Sequence, residues 1–153
     1  MTYSVDLLKL MGIEFAQTIL ENKELAPEQK LWRGVLCNAI EDTMQNLPDR
    51  KTSIYKMEAH EWILKKEEDF QKVCYWAGFE PDLVTERYKQ AVQRGDVKFT
   101  ERQINWVTYY RHYETYKQEK NKEKRQEFKK MADKWRNIVL NSTTALVTSF
   151  LIS

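Results

Sequence analysis

The sequence predicts an all-α fold: a compact helical domain containing a helix-turn-helix-like corner, followed by a long charged C-terminal helix. Three observations carry that prediction. Only 4 Gly and 3 Pro interrupt 153 residues, so helices can run long without breakers. Apolar residues recur at three- and four-residue spacing, and no segment sustains the two-residue alternation of a half-buried strand. The 5 Trp, 8 Tyr and 6 Phe supply the large rings that fill a small helical core or an interface.

Each element follows in order. Leu8, Met11, Phe15, Ile19 and Leu20 share one face of a first helix over Val5 to Asn22. Pro27 suits the first turn of a second helix, where its missing N–H is not needed. That helix runs to about Gln45 with Leu31, Trp32, Val35, Leu36, Ala39, Ile40 and Met44 as its apolar stripe. Asn46 to Arg50 reads as a loop, and a third helix over Ser53 to Lys65 presents Ile54, Met57, Trp62 and Ile63. A fourth helix covers Glu67 to Ala77 and stops at Gly78; a fifth starts at Pro81 and ends before Gly95. Thr100 and Gln103 have capping-box spacing, so a sixth helix begins there and continues to about residue 140. The expected organisation is a helical body over 1–98 with its corner at 67–94, one basic helix over 99–140, and a flexible tail over 141–153.

Composition narrows the function. No apolar run approaches the ~20 residues that cross a bilayer, and no N-terminal segment has a signal-peptide pattern. A cytoplasmic protein is expected, in the host cytoplasm if a phage encodes it. Cys37 and Cys74 sit within apolar helical patterns and read as small core residues rather than a redox pair. His60-Glu61 opens like HExxH, but Leu64 occupies the second ligand position. His60 and His112, with two separated cysteines, give no zinc spacing. With no Gly-rich phosphate loop either, the sequence predicts a non-enzyme with no cofactor and no metal. Net charge is only +2, yet from Thr100 onward eleven Lys and Arg face six Asp and Glu. An acidic body with a basic C-terminal arm results.

Phe70 to Lys89 fits a helix-turn-helix corner. Cys74 is small where the helices cross, and Gly78 supplies the positive φ of a three-residue turn. Val73, Ala77, Phe79 and Val84 are apolar at core-facing positions, and Pro81 opens the second helix. The expected exposed positions of that helix are Glu80, Asp82, Thr85, Glu86 and Lys89. Thr85, Arg87, Lys89 and Arg94 are its candidate groove or phosphate contacts, although its carboxylates repel phosphates.

From residue 30 to 90 the chain also resembles a group of small phage and prophage proteins. The resemblance runs through Leu31-Trp32-Arg33-Gly34-Val35-Leu36, Ala39-Ile40-Glu41-Asp42 and Ala59-His60-Glu61-Trp62-Ile63. Its most specific part is the string DFxxVCxxAGxxPxxV from Asp69 to Val84. It implies a phage-related origin and a role in gene regulation, and it transfers no catalytic residue.

The basic arm has two readings. Lys117, Lys120, Lys122, Lys124, Arg125, Lys129, Lys130, Lys134 and Arg136 could line a solvated helix, paired with Glu119, Glu123 and Glu127. Alternatively, Lys117, Lys120, Lys124, Arg125, Lys129 and Lys130 lie along nucleic-acid phosphates. Tyr109, Tyr110, Tyr113 and Tyr116 then either pack inward or stack on unpaired bases. The expected function is a phage-type regulator binding duplex DNA or the transcription machinery, with room for a homo-oligomer. The alternative is a non-catalytic interaction factor: an inhibitor of a host protein, or a virion-assembly or DNA-packaging component such as a small terminase-like protein. Its contact surface would be the acidic face of residues 66–86.

Overall fold

Residues 3–21 and 24–148 are described by the computed structural model. Ser4 starts the first helix by accepting the Leu7 N–H on its side chain. The helix expected over Val5 to Asn22 is nevertheless two helices, α1 (Val5–Met11) and α2 (Ile13–Leu20). Gly12 breaks it at φ +90, where L side chains are strained. The break turns Leu7, Leu10, Met11, Phe15 and Ile19 inward and leaves Leu20 70% exposed. Asn22, the expected end, lies outside the described residues.

Pro27 opens α3 (Pro27–Asp42), which ends three residues before the expected Gln45. Its buried side is Arg33, Gly34, Leu36, Cys37 and Ile40, while Leu31 and Val35 of the expected stripe are exposed. Then come α4 (Arg50–Lys65), α5 (Glu68–Ala77) and α6 (Pro81–Gln93). The expected single helix over 99–140 is also two, α7 (Glu101–Gln118) and α8 (Lys122–Leu140). The long charged C-terminal helix is α8, of 19 residues. One strand pair was not expected: β1 (Phe99–Thr100) runs antiparallel to β2 (Leu146–Thr148). The expected flexible tail therefore contains a strand, and its residues 149–153 lie outside the described residues. The fold remains all-α.

Contacts divide the chain into two units. The first holds residues up to Met44 and Glu58–Lys98; the second holds Gln45–Met57 and Phe99–Thr148. The loop after α3 and the first half of α4 thus leave the expected 1–98 body. In the first unit α5 packs on α3, and α1 packs on α6. Leu7, Met11, Leu36, Ile40, Ile63, Phe70 and Tyr88 are fully buried there. Two buried polar side chains of this unit bond to neighbours: Arg33 donates through Nε to the Ala77 carbonyl at 3.2 Å, and His60 Nδ1 lies 2.7 Å from the Tyr88 hydroxyl. Burying a side chain such as Phe70 stabilises by about 1.5–3 kcal/mol relative to leaving it in water.

The second unit is built around a polar knot. Lys56 and Gln103 are fully buried. Lys56 Nζ donates to Asn46 Oδ1 at 2.9 Å and to Gln103 Oε1 at 3.0 Å, above the Phe99 ring at 4.7 Å. Gln103 Nε2 donates onward to the Gln45 and Leu47 carbonyls, both at 3.0 Å. Burial lowers the Lys56 pKa to about 8.

Candidate nucleic-acid interface

The corner at α5–α6 has the geometry its residues imply. Gly78 sits at φ +86 and ψ +26, and Phe79 N–H donates to the Cys74 carbonyl while Gly78 N–H donates to Tyr75. These two bonds close the end of α5 as a Schellman motif. Gly78, Phe79 and Glu80 form the three-residue turn before Pro81. Val73, Cys74, Ala77, Phe79, Pro81 and Val84 are all buried.

Three of its four candidate contact residues, Thr85, Arg87 and Arg94, have partners within the protein. Thr85, expected on the surface, is 4% exposed, and its hydroxyl donates to the Ile63 carbonyl at 3.0 Å. No ligand can reach it. Arg87 is half-buried, paired with Glu14 at 2.9 Å and donating to Gln90 at 3.3 Å. Arg94 pairs with Asp96 at 2.9 Å and donates to the Leu10 carbonyl at 3.1 Å. Lys89 is half-buried. What α6 and its turn leave to solvent is Glu80, Asp82, Leu83, Glu86 and Gln93 alongside Arg94. The corner is built as expected, but its surface is acidic.

The hairpin of α7 and α8 is the opposite case. Thr100 and Gln103 form the expected capping box at the start of α7, with bonds of 3.0 and 3.1 Å. Glu119 ends α7 in extended backbone and accepts the Asn121 N–H at 3.0 Å. Asn121 then caps α8 by accepting the Glu123 and Lys124 N–H groups. That Asn was the readable sign of the break. At the other end Arg102 donates to the Leu140 carbonyl, and Asn105 donates to Ser142 at 2.6 Å. His112 stacks on Trp135 midway, and Arg125 lies over Tyr116 at 4.8 Å, so the two helices run antiparallel.

Between Val107 and Ala132 no residue is buried. Over this stretch the hairpin presents half-covered rings and exposed cations. The Glu/Lys pairing expected along this stretch does not form: among the described residues, no Lys or Arg from 117 to 136 is in an ion pair. Lys117, Lys120, Lys124, Arg125, Lys129 and Lys130 are exposed, as are Lys122, Lys134 and Arg136.

Helical periodicity sorts them. Lys122, Arg125, Lys129 and Arg136 fall within about 60° of one another around α8 and span about 21 Å of its length. Glu123 and Glu127 lie roughly 160° away from Arg125, and only Asp133 borders the cationic side. Lys124 and Lys130 point elsewhere. On α7, Tyr109, Tyr113 and Tyr116 form a ladder with ring centroids 6.0 and 6.1 Å apart. Trp106 extends it at 5.7 Å from Tyr109, its indole N–H held by the Pro48 carbonyl. Lys117 Nζ lies 5.7 Å from the Tyr113 ring centre. With Arg125 over Tyr116, ladder and cations share one face.

Burial pushes the thiols of Cys37 and Cys74 up to about 12, which keeps them protonated and poor nucleophiles. Among the described residues no three His, Cys, Asp or Glu side chains are grouped to hold a metal ion, and no helix is long and apolar enough to cross a membrane. Comparison with known protein families, with curated proteins and with solved structures finds no match to this chain.

Proposed function

We propose that this protein is a non-catalytic, nucleic-acid-binding regulator of the phage type, acting in the cytoplasm. The hairpin, rather than the helix-turn-helix corner, makes the phosphate contacts. The observation that carries this reading is the row of exposed Lys122, Arg125, Lys129 and Arg136 on α8, which form no ion pair among the described residues. Cations not held by carboxylates are available to phosphates, whose condensed counterions they release. A second copy of the arm is a poor partner for the same face, because both carry the same surplus of positive charge. On this reading the corner serves as scaffold, since Thr85 is buried and Arg87 and Arg94 are already paired with Glu14 and Asp96.

Fluorescence anisotropy of labelled oligonucleotides across 50–200 mM salt tests the reading. Four phosphate contacts predict a log–log slope of about −3 to −4 on duplex DNA, at ~0.9 per contact. Absence of binding at the lowest salt refutes it. A second reading has its own support: Glu80, Asp82 and Glu86 are exposed beside Leu83 on α6, and Trp76 of α5 is 50% exposed. An acidic surface with exposed apolar residues suits a basic protein partner, on a host enzyme or a phage assembly. Under that reading, reversing the three carboxylates to lysine abolishes partner binding and leaves DNA affinity unchanged or raised.

A further inference from the structure

We infer that the hairpin takes single-stranded nucleic acid, with unpaired bases stacked on Tyr113 and Tyr116 and phosphates on the cationic side of α8. The inference rests on the nucleic-acid reading above and specifies its substrate class. Three observations carry it.

The first is the ladder's spacing. Steps of 6.0 and 6.1 Å between ring centres are nearly twice the ~3.4 Å per nucleotide of a duplex strand. A continuous base stack cannot match such steps, whereas a strand with splayed bases can place one base at each ring. The second is what covers the ring faces. Arg125 over Tyr116 and Lys117 near Tyr113 are exposed cations on flexible stems. An incoming base can displace each from its ring while the charge moves to the adjoining phosphate, so neither interaction is lost uncompensated. The third is width. Two packed helices form a ribbon roughly 20 Å across, too broad to lie flat in a major groove about 12 Å wide. Duplex DNA can therefore meet this face only through its phosphates and gains nothing from the tyrosines.

Anisotropy with the full-length protein separates the cases, using oligo-dT, oligo-U and a duplex of equal length. The expected result is tighter binding of the single strands than of the duplex. Tyr113→Leu with Tyr116→Leu should weaken single-strand binding roughly tenfold or more per ring. Duplex affinity and the salt slope should stay as they were, and Tyr113→Phe with Tyr116→Phe should retain single-strand affinity. Tyr75→Leu, on the first unit, is the unaffected control. In case the leucine pair disturbs folding, photocrosslinking of bromodeoxyuridine-substituted oligo-dT to the unaltered protein gives a second readout, with adducts expected on Tyr113 or Tyr116. The oligo-U arm distinguishes RNA from DNA. Equal affinity for duplex and single strands, with normal salt dependence and no effect of the tyrosine substitutions, overturns this inference while the nucleic-acid reading stands. Crosslinks confined to α6 also overturn it. No binding to any oligonucleotide overturns both.

Discussion

The corner α5–α6 and the hairpin α7–α8 are each two helices joined by a short turn, yet they treat charge in opposite ways. In the corner, Arg87 pairs with Glu14, Arg94 pairs with Asp96 and donates to the Leu10 carbonyl, and Thr85 bonds a backbone carbonyl. In the hairpin, cations stand in solvent over rings that are only partly covered. On the proposed reading, the motif that looks like a reader is scaffold and the run that looks like filler is the contact surface. What separates them is burial. In the corner α1 packs on α6 and α3 on α5; in the hairpin nothing between Val107 and Ala132 is buried.

If that contrast holds, core substitutions in the first unit should be costly and those in the arm cheap. Phe70 is fully buried against Trp62, and Phe70→Ala should cost about 3–5 kcal/mol in urea unfolding. Met131→Ala, at an exposed position of α8, should cost well under 1 kcal/mol. Equal losses would erase the distinction. Gly78→Val should cost about 2 kcal/mol, because its φ of +86 strains a β-branched residue and a Cβ there would meet Gln29 Nε2 at 2.5 Å. An unchanged unfolding midpoint would contradict the turn.

The polar knot of the second unit gives a pH test. Folding lowers Lys56 from 10.5 to about 8 by burial, so above about pH 8 the unfolded chain holds more protons and stability rises with pH. Below about 8 both states are protonated and there is no slope. Cys37 and Cys74 act oppositely, since burial raises them from 9.0 to about 12; their unfolded forms ionise first, and stability falls above about 9. Between pH 8 and 9 the native protein should gain about 1 kcal/mol relative to Lys56→Met. A flat difference would place the amine in a more hydrated site. Smallest of all, Asn121→Ala should cost about 0.5–1 kcal/mol and speed hydrogen exchange at Glu123 and Lys124. Unaltered exchange would mean that α8 does not depend on this cap.

Much of the corner was legible because its requirements are local: a glycine at the turn, small and apolar residues at set spacings, a proline at the next first turn. The two missed breaks had weaker signals. Gly12 stands alone within an apolar pattern that continues through it. Glu119-Lys120-Asn121 lies in a stretch without hydrophobic residues, where periodicity has nothing to count. The charge surplus of the arm was visible, but not which cations stay free. Arg87 meets Glu14 and Arg94 meets the Leu10 carbonyl from over seventy residues away, and no local pattern encodes such pairs. Lys56 was likewise illegible, because its burial depends on Asn46, Phe99 and Gln103 converging on it.

The contrast between scaffold and contact surface is tested most directly by removing charge from each and reading the salt dependence of nucleic-acid binding. One variant carries Gln at Lys122, Arg125, Lys129 and Arg136; the other carries Gln at Arg87, Lys89 and Arg94. For the hairpin variant the slope of log affinity against log salt should fall by about 3 units, at ~0.7 per contact on a single strand or ~0.9 on a duplex. For the corner variant it should change by less than about 1 unit. A slope lost with the corner variant and kept with the hairpin variant would contradict the account and return DNA contact to the helix-turn-helix corner.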